Sequence, residues 1–362
     1  MKRNLPWLFC WVILIVLADS CSKDKVIVKP TTTNSQVTLG LYQYGADSGR
    51  RVFVPITKVG TKTVNYLSVF DTGSAGMTID AHDIIPDAMI TSSGFSFTGD
   101  SVVVEGITIT SKQGIISYGN KTSSTKEYGN LAYASITIGD HNGNTSAKRV
   151  PIFLYYKVVD GTTGKAVTLT HTLDVFGVEP GSSAANAAIN SPLSYFNTNS
   201  DLTNGFKLAA LQTNSFGIQP TYVASLLTIG LTSANISSDG FIMHPFSTSN
   251  GVVSANIPST VTYNGQSVST SILFDTGTPF VSTIENKLAV NATGQLPANT
   301  VVTITTNMGF TYTYTTNSTT NLTAVENPSV TGDYRTIFGI DFFTGNEYLT
   351  DYTNRQIGLK NN

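Results

Sequence analysis

From about residue 37 onward, short runs of β-forming residues recur along the chain, separated by turn signals. "VNYLSVF" (64–70), "SVVVEGITIT" (101–110), "YASITIG" (133–139) and "VVTITTN" (301–307) are rich in β-branched and aromatic side chains and predict strands. "HNGN" (141–144) and "YNGQ" (263–266) carry the Asn-Gly pair that suits tight hairpin turns, because both residues tolerate positive φ. Only two short stretches read as helical, "AANAAINSPLSYF" (184–196) and "QPTYVASLL" (219–227). The expected fold is therefore mostly β. Residues 21–36 are polar, lack periodicity and contain "KPTTTNS", the pattern of a tether.

Ahead of that tether the pattern changes. Lys2 and Arg3 give a cationic start, residues 5–18 are apolar but too short to cross a bilayer comfortably, and small residues lead to Cys21. Residues 1–20 are expected to be an export signal. Cys10 would leave with it, so no disulfide could form in the exported chain.

Composition narrows the function. Of the 362 residues only 12% are Asp, Glu, Lys or Arg, and the formal charge is −2, so neither a basic stripe nor an acidic tail is present and nucleic-acid binding is excluded as a reading. The polar surface comes instead from Ser, Thr and Asn, as in "TYTYTTNSTTNLT" (311–323). The length suffices for two lobes, each with its own core.

A repeat at that scale is present. "SVFDTGSAGMTID" (68–80) is echoed by "SILFDTGTPFVST" (271–283), with Asp71 and Asp275 204 residues apart, far beyond solenoid periods. A second echo follows each copy, "VFGV" at 175–178 and "IFGI" at 337–340. The pattern predicts a duplicated lobe, divided here as residues 37–238 and 239–362. In each copy an Asp ends an apolar strand, so its carboxyl is partly removed from water. The Gly two residues later allows a tight turn and lets amides approach, while Thr and Ser hydroxyls can orient the carboxylate. Two such carboxyls brought face to face cannot both ionise and would share a proton, giving one acid and one base for activating a water. Aspartic proteases are the standard instance of that arrangement.

These residues resemble the signatures of pepsin-like aspartic peptidases. "VFDTGS" (69–74) and "LFDTGTP" (273–279) fit the two catalytic motifs, the Phe-Gly pairs at 176–177 and 338–339 fit the segments packed beside them, and "IFGIDFFTGNEYLTDYTNRQIGL" (337–359) fits the family's final strands. The resemblance implies a bilobal acid-protease fold, two β-barrel-like lobes flanking a cleft. It implies Asp71 and Asp275 as the catalytic pair, supported by Thr72, Gly73, Ser74, Thr276, Gly277 and Thr278. Ser74 and Thr278 would donate to the carboxylates, and Thr72 and Thr276 would fasten the two turns together. It also implies a flap hairpin bearing a Tyr followed by Gly; both Tyr118-Gly119 and Tyr128-Gly129 fit, and Tyr118 is preferred because it leaves Tyr128 on the returning strand. No metal or organic cofactor is called for, and the implied partner is a protein or peptide substrate met by a monomer. Separately, "LADSCSKD" resembles the lipobox of bacterial lipoproteins, with departures at Ala18 and Asp19, and implies a lipid anchor at Cys21 and a periplasmic or cell-surface location.

Departures from the family's pattern are definite: "AGMTIDA" (75–81) lacks the Trp often found there, and no basic prosegment precedes Val37. Other chemistries fit less well. His82, His141, His171 and His244 are scattered without zinc spacing, and "ADSGR" (46–50) and "DHNGNT" (140–145) read as turns rather than as a nucleophile or a calcium loop. The expected function is an aspartic endopeptidase. The alternative is a pepsin-shaped surface lipoprotein that binds peptide or glycan without cleaving it.

Overall fold

A computed structural model describes residues 36–46, 49–119, 124–168, 170–196, 201–249, 251–290 and 293–362. The expected export signal, most of the tether and Cys21 lie outside them. Among the described residues strands dominate. Helix is confined to short pieces such as Ser233–Ser237, opened by a capping box in which Thr232 accepts the Asn235 amide, and Pro328–Thr331. No described helix is long and apolar enough to cross a membrane.

Two principal sheets carry the chain, one of 15 strands and one of eight. The eight-stranded sheet is built from strands between Ile257 and Phe338. The larger sheet holds the first half of the chain and also takes in Ile242–Pro245, Asn346–Asp351 and Gln356–Asn361; Asn346–Asp351 pairs with Thr203–Leu208. The C-terminal strands therefore return to the sheet in which the chain began. A hairpin-to-loop contact adds to the connection, with the Arg50 amide donating to the Pro279 carbonyl at 2.9 Å and the Arg50 side chain paired with Asp341.

Each Asp-Thr-Gly sits in the same local construction. The strand Lys62–Asp71 runs parallel to Val175–Val178, which also pairs antiparallel with Ala75–Asp80. In the second half Gln266–Phe274 runs parallel to Arg335–Phe338, which pairs with Ser282–Glu285. The chain thus leaves one side of a strand at the Asp, turns, and returns on its other side. The repeated Phe residues form matching stacks behind the turns, Phe70 on Phe176 at 6.4 Å and Phe274 on Phe338 at 6.1 Å, all four buried. The glycines of both echoes answer to close approach. A Cβ at Gly177 would fall 2.6 Å from the Ser74 and Gly76 carbonyl oxygens, and one at Gly339 would fall 2.6 Å from the Thr278 carbonyl oxygen. Amides one or two residues on close each loop, Glu179 N to Ser74 O at 2.9 Å and Ile340 N to Thr278 O at 3.0 Å.

Three local expectations need correction. Residues 219–227 are not helical: Thr221–Leu231 is a strand hydrogen-bonded on both sides, to Val37–Ala46 and to Thr203–Leu208, and that pairing overrides weak local preference. Residues 184–196 hold only a single 3₁₀ turn, Pro192–Tyr195. The run 101–110 is two strands, Ser101–Val104 and Ile107–Gly119, because Glu105 (φ 49°) and Gly106 (φ 71°) form a hairpin turn with both residues in the left-handed region. Asn264 and Gly265 turn the chain in the same way between Tyr263 and Gln266.

Candidate active site

The two Asp-Thr-Gly turns meet face to face. Asp71 is 7% exposed; its Oδ1 accepts the Gly73 amide at 2.7 Å and its Oδ2 the Ser74 hydroxyl at 2.7 Å. Asp275 repeats the pattern, with the Gly277 amide on Oδ1 and the Thr278 hydroxyl on Oδ2, both at 2.7 Å. Each glycine packs against the opposite carboxyl: a Cβ on Gly73 would lie 2.3 Å from Asp275 Cγ, and one on Gly277 2.6 Å from Asp71 Cγ. Any side chain at either position would occupy the space of the facing carboxyl.

Thr72 and Thr276 lock the turns across the interface. The Thr72 hydroxyl donates to the Phe274 carbonyl at 2.8 Å and accepts the Thr276 amide at 3.0 Å. The Thr276 hydroxyl donates to the Phe70 carbonyl at 2.6 Å and accepts the Thr72 amide at 3.0 Å. Both side chains are buried, so these four bonds form without competition from water. Burial, followed by the Asp275 charge and a hydrogen bond with Asp275, raises the Asp71 carboxyl well above the ordinary carboxylate range; Ser74 and Gly73 oppose this only in part. Such a pair holds one proton between its members through mildly acidic pH.

The carboxyls open into a cleft of about 750 Å³, within the range of small-ligand and peptide sites. Leu273, Val281 and Ile337 give its wall apolar surface, and Tyr118 and Gly119 hang over it from the hairpin formed by Ile107–Gly119 and Ser124–Asp140. Residues 120–123, between these two strands, lie outside the described residues. Tyr118 is half-buried. Its phenol is pushed well above its ordinary range, first by burial and then by the nearby Glu127, and so remains a neutral hydroxyl at working pH. Tyr128 lies on the returning strand, opposite Ile115, with Lys157 Nζ 5.0 Å from its ring centroid, and is not among the residues lining the cleft. Within the hairpin, on the returning strand, Glu127 is fully buried; burial drives its carboxyl well upward, and a hydrogen bond with Thr78 opposes this only in part.

Sequence reading missed several charged groups of the cleft: Arg51, Glu179, Glu285, and the ion pair of Arg335 with Asp333. Glu179 and Glu285 are each pushed up to about 7, in both cases chiefly by burial. Glu179 had a detectable signal, since it directly follows the first Phe-Gly echo. Arg51 had none, because half of an Arg-Arg pair beside a turn reads as solvent-facing. None of the four histidines lines the cleft. His171 instead sits between the Asp174 carboxylate and the His82 carbonyl, and His244 bonds the Thr306 hydroxyl.

No protein-family profile matches the chain, and no curated protein matches it in sequence. Its backbone is similar to that of an aspartic proteinase from Irpex lacteus, known from a crystal structure, with a TM-score of 0.57 and 17% identity over 90% of this chain and 97% of that one. At that identity the likeness speaks for architecture: the chain has the mostly β, bilobal fold of the pepsin-like proteinases.

Proposed function

We propose that this protein is an aspartic endopeptidase in which Asp71 and Asp275 together activate a water. The observation that carries the reading is the pair of facing carboxyls, each held by its own glycine amide and hydroxyl at 2.7 Å, at the floor of an open cleft. The shared proton makes one carboxyl an acid and leaves the other a base. The base takes a proton from the water as its oxygen adds to the peptide carbonyl, and the acid gives its proton to the carbonyl oxygen. The resulting gem-diol collapses, the C–N bond breaks, and the proton acquired by the base passes to the leaving nitrogen while the other carboxyl regains one from the diol. The pair ends with one proton, as it began. Tyr118 closes over the bound peptide and restricts water, and the crossed threonines fix the separation of the carboxyls.

Incubation of the purified chain with a mixed peptide library, read by mass spectrometry across acidic to neutral pH, tests the proposal. Cleavage is expected, with a bell-shaped pH dependence belonging to the pair. Asp71→Asn and Asp275→Asn should each abolish nearly all of it, and the double variant should be little worse than either single one, because the two act as a unit. A statine-type inhibitor should bind the wild type and lose affinity for both single variants. Hydrolysis that survives either substitution in folded protein overturns the assignment.

A further inference from the structure

Arg51 lines the same cleft as the two aspartates, yet the proposed chemistry leaves it unused. It lies on the strand Gly49–Val59 opposite Tyr44. Its neighbour Arg50 is engaged elsewhere, paired with Asp341 and stacked over the Phe216 ring at 5.1 Å. Among the described residues Arg51 forms no ion pair and makes one weak hydrogen bond, Nη1 to the Arg50 carbonyl at 3.3 Å. The other cleft arginine is committed: Arg335 forks onto Asp333 with Nε to Oδ1 at 2.9 Å and Nη2 to Oδ2 at 2.7 Å. Burial lowers the pKa of Arg51, and the charges of Asp275 and Asp71 pull it back, so the guanidinium stays cationic, half-buried, and near the reacting centre without a direct partner. A partly desolvated cation lacking a direct counter-charge is stabilised when a ligand brings a carboxylate, and the guanidinium fork fits one in two-point geometry.

We propose that Arg51 is a specificity-determining residue that receives an acidic side chain of the substrate, so that preferred substrates carry Asp or Glu close to the scissile bond. This inference rests on the peptidase reading. The acidic lining of the cleft does not forbid it. Arg335 neutralises Asp333. Glu179 and Glu285, each pushed up to about 7, are still protonated in mild acid; Glu326, which also lines the cleft, is hydrogen-bonded to Glu285. A substrate Glu, with an ordinary pKa of about 4.3, is ionised by then. Between those limits the dyad carries one negative charge and Arg51 one positive charge, and the preference is greatest there.

The test compares kcat/KM for matched peptides with Glu or Gln placed at successive positions, for wild type, Arg51→Met and Arg51→Lys. At one position the Glu/Gln ratio in wild type should exceed unity by roughly ten- to a hundredfold, the gain of a desolvated charge-assisted contact. It should fall to near one in Arg51→Met and survive in part in Arg51→Lys. A parallel arm measures binding of the same fluorescent peptides to Asp71→Asn, with and without Arg51→Met. Arg51-dependent Glu preference in binding, with no hydrolysis by wild type, would sink the peptidase reading while upholding Arg51 as the receptor for an acidic side chain of a bound peptide. Hydrolysis whose Glu/Gln ratio is the same in Arg51→Met would overturn the inference alone. A uniform loss on both peptides with a displaced pH profile would also overturn it, showing that Arg51 acts on the dyad and not on the substrate.

Discussion

Thr276 Oγ1 serves two backbone groups at once, accepting the Thr72 amide and donating to the Phe70 carbonyl, and the side chain is fully buried. Valine has nearly the same shape and lacks the hydroxyl, so Thr276→Val would strand a buried donor and a buried acceptor. The expected loss is roughly 2–6 kcal/mol, at about 1–3 kcal/mol per unsatisfied group. Thr72→Val should cost a similar amount, and Thr276→Ser much less, because the hydroxyl remains. Urea unfolding of the three variants measures this, and an unchanged midpoint in Thr276→Val would show that the crossed bonds do not hold the turns together. At the same scale, the glycines beside the dyad are set by packing: the facing carboxyl occupies the place of the Cβ.

Among the elements, the hairpin of Ile107–Gly119 and Ser124–Asp140 decides which tyrosine meets substrate. Tyr118 pairs with Thr125 near its end and lines the cleft, whereas Tyr128, nearer its base, faces Lys157. Tyr118→Ala is therefore expected to lower kcat/KM by on the order of tenfold or more through loss of closure over the peptide, with Tyr128→Ala changing it much less. Steady-state kinetics on one cleavable peptide, with circular dichroism to verify folding, makes the comparison. The reverse ranking would assign the closing residue to the returning strand.

The whole molecule stores protons. Burial chiefly raises Asp71 and Glu127 strongly and brings Glu179 and Glu285 to about 7. Each of these carboxyls keeps its proton in the folded chain over a range, from about 4 up to its folded value, in which the unfolded chain has released it. The folded state then binds more protons, and stability falls as pH rises through that window. For Glu179 alone the change is on the order of 3 kcal/mol. His171 acts in the same direction: burial lowers it, but the Asp174 hydrogen bond and charge outweigh that and raise it, so its contribution is lost on deprotonation. His244, lowered by burial, opposes them and favours neutral pH. The sum predicts a higher urea midpoint at pH 5 than at pH 8, with a shallower slope in Glu179→Gln. A midpoint that climbs from pH 5 to 8 would contradict it.

The β-rich class, the duplicated turn and the positions of both aspartates were legible in the sequence, because strand preference, Gly-dependent turns and an apolar lead-in to Asp are local properties repeated in each half. The Asn264-Gly265 hairpin was legible for the same reason, since two residues carry its whole backbone requirement. Thr221–Leu231 was not, because its neighbours, Val37–Ala46 and Thr203–Leu208, are distant in sequence and pairing with them outweighs local preference. The sequence favoured Tyr118 over Tyr128 only through the order of the hairpin's strands; where the hairpin aims each ring was a tertiary matter. Tertiary structure alone showed that Arg51 reaches the cleft while Arg50 turns to Asp341, and that Glu127 and Glu179 lose their water. Charge state and reach are set by which surfaces meet, and a linear chain does not contain that information at any single position.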